Sequence, residues 1–253
     1  MDAPEQSDRA GVPPPADPHA PVTPAERGLA LLEVLICSDY PTQLALAGTL
    51  AAFGYAPGLD GSLSLSYVAA ISLADSALLI GLIVFFTRVR GESVRDLLLG
   101  RAPLGGELRA GVPLLFVAFA IAVVLLVAVQ TLAPWLHTVP DNPLKNLVHS
   151  PLDAVLFALV LIVAGGVREE VQRAFLLNRF ERWLGGPTLG LVVSSVVFGA
   201  GHFLQGADAA IATAALGAFW GATYLRRRSI ASTVVSHAGF NLVQILQFLI
   251  VSR

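Results

Sequence analysis

Residues 165–173, Gly165-Gly166-Val167-Arg168-Glu169-Glu170-Val171-Gln172-Arg173, set four ionisable side chains inside an apolar run that is otherwise long enough to cross a bilayer. A charge at the centre of a bilayer costs about 2.5–3.5 kcal/mol or more, so such residues face a protein interior or a wet cavity and mark function by default. Two later stretches carry the partners that carboxylates need for chemistry. Phe198-Gly199-Ala200-Gly201-His202 and His237-Ala238-Gly239-Phe240-Asn241 each place an imidazole in an apolar segment. At about 100° per residue, the four-residue spacing puts His237 and Asn241 on one helix face, and does the same for Glu169 and Arg173.

These residue types point to activation of water. Two histidines and a carboxylate, His202, His237 and Glu169, could hold a divalent metal, zinc being the natural choice, with one position open for water. Alternatively a glutamate takes the proton from water directly while the histidines orient it. Asn241 could donate to the oxyanion that forms. Arg173 pairs most simply with a glutamate and holds its orientation. Glycines 165, 166, 199, 201 and 239 let helices approach closely and leave room for a substrate backbone.

The elements that must position these groups are transmembrane helices. Apolar residues make up 55% of the 253-residue chain and charged residues 13%, and the mean hydropathy is +0.71. That is far from a soluble domain and predicts an all-α, polytopic transmembrane bundle of about seven spans. Net charge is −2 with no long basic tract, which excludes nucleic acid as the expected partner. The lone Cys37 cannot form an intrachain disulfide.

Residues 1–27 are rich in Pro and Ala without apolar periodicity and read as a disordered tail, lacking the basic and apolar regions of a signal peptide. Residues 28–149 read as N-terminal transmembrane helices with a basic loop. Their first segment, Gly28 to about Tyr55, is broken at Ser38-Asp39-Tyr40-Pro41, where proline removes a backbone donor and forces a kink. A second span runs from about Leu63 to Thr87 and a third from Val112 to Leu136. Residues 150–253 form the expected catalytic core: spans from about Leu152 to Phe180, from Pro187 to Leu204, from Ala209 to Leu225 and from Ile230 to Val251. Asp39, Asp75, His137 and His149 match no motif and read as capping, interior or loop residues.

Arginines set the expected orientation. Of the 16 Lys and Arg residues, twelve fall on the side that holds the 88–111 loop, two on the other side and two within the membrane. The arginine-rich side is therefore expected to be cytoplasmic. At about 1.5 Å per residue, Glu169 lies about 15 Å from Arg179, His237 about 13 Å from Arg228 and His202 about 22 Å from Pro187. The polar groups are thus expected to converge on one layer and open toward the cytoplasm.

The three motifs, in order and in successive spans across residues 150–250, resemble the CPBP family of intramembrane proteases. That family includes the CAAX prenyl endopeptidase and bacterial Abi-type proteins, and is marked by Glu-Glu-x-x-x-Arg, Phe-x-x-x-His and His-x-x-x-Asn. The second and third motifs match fully; the first has two residues, not three, between Glu170 and Arg173. With the glutamates aligned, Glu169 takes the family's water-activating role. With Arg173 and the residues after it aligned, Glu169 becomes the second glutamate and Arg168 fills the first position. Glu169 is the expected base and Glu170 the fallback. The resemblance implies an intramembrane endopeptidase acting on a membrane-associated protein or peptide, in a bilayer whose Ala-, Val- and Leu-rich protein looks bacterial. The alternative is a catalytically silent immunity or scaffold protein that binds a peptide or partner.

Overall fold

The computed structural model describes residues 22–57, 63–139 and 147–251, without the side chains of 248–251. All regular structure in these residues is helical, and the chain is an all-α membrane helix bundle. Helix α1 spans Pro24–Ile36, α2 Tyr40–Ala52, α3 Leu65–Val89, α4 Val94–Leu99 and α5 Leu104–Leu132. The core follows with α6 Pro151–Val160, a π-helical stretch Leu161–Arg168, α7 Glu169–Trp183, α8 Pro187–Gly201, α9 Ala207–Arg227 and α10 Ala231–Val251.

Local chemistry starts these helices. Thr23 and Glu26 form a reciprocal capping box at α1, so the helix begins four residues before the tail was expected to end. Residues 1–21 of that tail lie outside the described residues. Ser64, Ser93 and Ser150 accept backbone N–H groups at the starts of α3, α4 and α6, each cap being worth about 1 kcal/mol. Proline sits in the first turn of α1, α2, α6 and α8, where its missing N–H has no helical partner to lose. The expected break in the first segment is a 45° bend between α1 and α2, with Asp39 at φ 82° heading α2.

The helices run back and forth between two ends. At one end lie the 90–103, 184–186 and 228–230 connections, and with them most of the arginines; at the other lie the 133–139 and 202–206 connections. Among the described residues three helical stretches are long and apolar enough to cross a membrane, or four if the bent α1–α2 pair is one span. Two of the other expected spans fall short on that measure for physical reasons. Helix α8 has 15 residues, and α9 is diluted by alanine, glycine and its terminal charges.

Packing places α10 against α5 and the π stretch, α9 against α8 and α5, and α7 against α8. A Cβ on Gly199 would stand 2.6 Å from the Ala210 carbonyl oxygen, so the backbones of α8 and α9 approach closely there. Leucines, valines and phenylalanines such as Leu44, Phe116, Val124 and Val196 are exposed around the perimeter, as lipid contact requires. At the arginine-rich end, Phe175, Leu177, Leu79, Ile83 and Cys37 form a fully buried cluster. Beside it Glu33 accepts from Arg90 at 2.7 Å and from Arg179 at 2.5 Å, while Glu92 accepts from Arg179 and Arg182. Arg179, expected at a span's edge, is wholly buried in that network.

Candidate active site

The polar motif emerges from the π stretch. Its i→i+5 bonding winds the chain more loosely than an α-helix, and such bulges are frequent at functional sites. Gly165 and Gly166 lie within it against α10: a Cβ on Gly166 would stand 2.8 Å from Ala238 Cβ, and one on Gly165 2.6 Å from Asn241 Nδ2. Only glycine lets α10 come this close, and the approach brings His237 and Asn241 to the first turn of α7.

The two glutamates have different surroundings. Glu170 is 1% exposed and forms an ion pair with Arg173, three residues on. Its Oε1 also lies 2.9 Å from His237 Nδ1. Glu169 is 15% exposed; its Oε2 stands 3.6 Å from His237 Nε2 and its Oε1 3.5 Å from Arg168. Both separations exceed an ordinary hydrogen bond. With Nδ1–H donating to Glu170, the neutral His237 ring keeps its lone pair on Nε2, facing Glu169.

Aromatic rings hold the histidine. Trp220 stacks on His237 at 3.8 Å between centroids and 18° between planes, and its Nε1–H donates to Ser236 Oγ at 3.0 Å. Phe198 stands edge-on to His202 and His237, at 4.8 and 6.1 Å, with the Arg173 guanidinium 4.8 Å from its centre. His202 caps the end of α8, its Nδ1 donating to the Phe198 carbonyl at 2.9 Å, which likewise leaves Nε2 as the acceptor.

Arg168 reaches away from the cavity toward the N-terminal helices. Asp39, delivered by the α1–α2 bend, lies 2.6 Å from it, and Asp75 of α3 lies 3.7 Å away. Both aspartates read from the sequence as capping or interior residues, and no local signal ties either of them to Arg168.

A cavity of about 690 Å³ is lined by Glu169, His202, His237 and Asn241, but not by Glu170 or Arg173. It extends from Trp220 and Phe240 past Leu161 and Phe157 to His137, Val139 and Asp208. Those last residues belong to the end opposite most of the arginines. The pairing of His137 with Asp208 was also missed: His137 reads as a loop residue and its partner is 71 positions away. His149 remains in the connection before α6, where its N–H donates to Asp153.

A zinc site needs three protein ligands and an open position. Among the described residues no group of three or more His, Cys, Asp or Glu side chains is arranged to hold a metal ion. His237 Nε2 and Glu169 Oε2 form a pair of donors, and His202 does not complete it. The donor set as it stands does not fit the expected metal.

Residues 151–243 match the family model of type II CAAX prenyl endopeptidase, Rce1-like. The match lies in the segment from α6 through most of α10, where the three motifs also lie. No curated protein and no solved structure matches the chain.

Proposed function

We propose that Glu169 is the general base of this endopeptidase, activating water for hydrolysis of a peptide bond in a membrane-associated substrate. The observation that supports it is the division of labour within the pair. Glu170 is buried and neutralised by Arg173, while Glu169 alone opens on the cavity beside His237 Nε2. A water bonded to both would lose a proton to Glu169 as its oxygen attacks the scissile carbonyl. The tetrahedral oxyanion would be met by the Asn241 amide N–H, and Glu169 would return the proton to the departing amine. One water is consumed, and a carboxylate and an amine are released. Glu170, Arg173, Trp220 and Ser236 act by orienting His237. Zinc at His202, His237 and Glu169 would require His202 to move toward the other two.

We place the protein in a bacterial inner membrane with most of the arginines facing the cytoplasm, its partners being the bilayer and the substrate protein. The rival reading is a silent immunity or scaffold protein that binds a peptide in the same cavity. Arg168, 3.5 Å from Glu169, favours it by offering the carboxylate a structural ion pair. The experiment is cleavage of a membrane-anchored peptide library by purified protein in liposomes, read by mass spectrometry, against Glu169→Gln. Site-specific cleavage lost in the variant supports the hydrolase; binding without cleavage in both supports the rival.

A further inference from the structure

The cavity has a second polar end that water activation at Glu169 does not use. His137 Nδ1 lies 2.7 Å from Asp208 Oδ2, and Gln130 Nε2 donates to the same oxygen at 2.9 Å. Asp208 Oδ1 accepts the Ala209 N–H at 2.9 Å. Nearby, the Ala207 N–H donates to Thr138 Oγ1 at 3.0 Å. The segment after α5 is thereby fastened to the start of α9. The exposures of the paired side chains differ sharply, 4% for Asp208 and 41% for His137. A clip that only joined two segments would have no need to present its ring. Here the carboxylate is buried, and the imidazole that it orients lines the same cavity as Glu169, His202 and His237.

Between the two polar ends the walls include the apolar Leu126, Phe157, Leu161, Leu216, Phe240 and Ile245, with Thr213, Gln244 and Gln247 adding polar groups to the lining. The volume, about 690 Å³, lies within the range of sites that enclose a ligand of drug size or a short peptide. Polar, apolar, polar is the order presented by an extended peptide with apolar side chains, cut at one end and held by its backbone at the other. With Nδ1–H committed to Asp208, the neutral ring offers Nε2 as an acceptor.

Resting on the hydrolase reading above, we propose that His137, oriented by Asp208 and Gln130, is a substrate-binding residue. It accepts a backbone N–H of an apolar peptide segment that extends from the scissile bond toward the end opposite most of the arginines. This makes the cavity selective for chains long enough to span from Glu169 to His137. Asp208 is the positioning residue of the pair.

The test uses full-length protein in liposomes and a peptide set that varies in length and in single backbone N-methylation. His137→Ala is expected to raise KM about 3- to 10-fold for peptides that span the cavity, the loss of one net hydrogen bond, with a much smaller change in kcat. For peptides too short to span, KM should be the same in both proteins. One N-methyl position should raise KM in wild type by a similar factor and have no further effect in His137→Ala. Asp208→Asn should move KM in the same direction, and His137→Gln, which keeps an acceptor, should restore part of the loss. Equal KM for wild type and His137→Ala at every length, or N-methyl effects that persist in the variant, would overturn the proposal. If His137→Ala fails to fold, His137→Gln and the N-methyl series on wild type decide alone. If wild type cleaves nothing, the hydrolase reading fails, and the Kd of the same peptides for Glu169→Gln, with and without His137→Ala, still decides this site.

Discussion

His237 Nδ1 meets Glu170 Oε1 at 2.9 Å while His237 Nε2 faces Glu169 Oε2 at 3.6 Å, so one imidazole touches both members of the Glu-Glu pair through different nitrogens. The buried glutamate fixes the ring, and the ring's other nitrogen is thereby presented to the glutamate that opens on the cavity. Structure and chemistry are divided between two adjacent residues.

The first consequence concerns stability. Removing one partner of a buried ion pair strands the other charge and costs about 3–5 kcal/mol. Glu170→Ala, which leaves Arg173 buried, should therefore lower the thermal midpoint in detergent strongly. The double variant Glu170→Leu, Arg173→Met should recover much of the loss while leaving His237 unanchored and activity low. A Glu170→Ala protein that melts like wild type would contradict the assignment.

Close approach of α10 to the π stretch makes a second prediction. A methyl group on Gly166 would stand 2.8 Å from Ala238 Cβ, and overpacking of this kind costs about 1–3 kcal/mol. Gly166→Ala should destabilise the protein and shift His237 and Asn241 from the α7 turn, lowering activity more than the melting point alone accounts for. Adding Ala238→Gly should relieve both effects. The check is paired thermal melts and cleavage rates for the single and double variants.

The N-terminal bent pair depends on Glu33, which holds Arg90 and Arg179 together inside the arginine-rich end. Glu33→Ala takes away the carboxylate that Arg90 pairs with and leaves the buried Arg179 with Glu92 alone, and should cost about 3–5 kcal/mol. Limited proteolysis should then cut the 37–39 connection faster than in wild type. Unchanged protection would show that α1 is held by apolar contacts alone.

Local rules made part of this legible. Pro41 marked the bend, the arginine counts marked one end of the bundle, and four-residue spacing marked the faces of Glu169, His237 and Asn241. What stayed hidden depends on contact across the bundle. Asp39 and Asp75 carry no local signal, and their role appears only when the α1–α2 bend and α3 bring them to Arg168. The His137–Asp208 pair joins the end of α5 to the start of α9, and neither residue has a periodic neighbour to announce it. Within a single helix, the π stretch was also hidden, because apolar periodicity over Leu161–Arg168 does not distinguish i→i+4 from i→i+5 bonding. The start of α1 was legible in principle, since Thr23-Pro24-Ala25-Glu26 has the capping-box spacing, but the proline-rich composition around it pointed the other way.

The most direct test compares Glu169→Gln with wild type on a membrane-anchored peptide that wild type cleaves, in the same liposomes and with matched melting curves. The account predicts that Glu169→Gln folds, still binds the peptide and loses cleavage by about 10²-fold or more, the scale of a general base. Full cleavage by folded Glu169→Gln would contradict it and move the base elsewhere in the cavity.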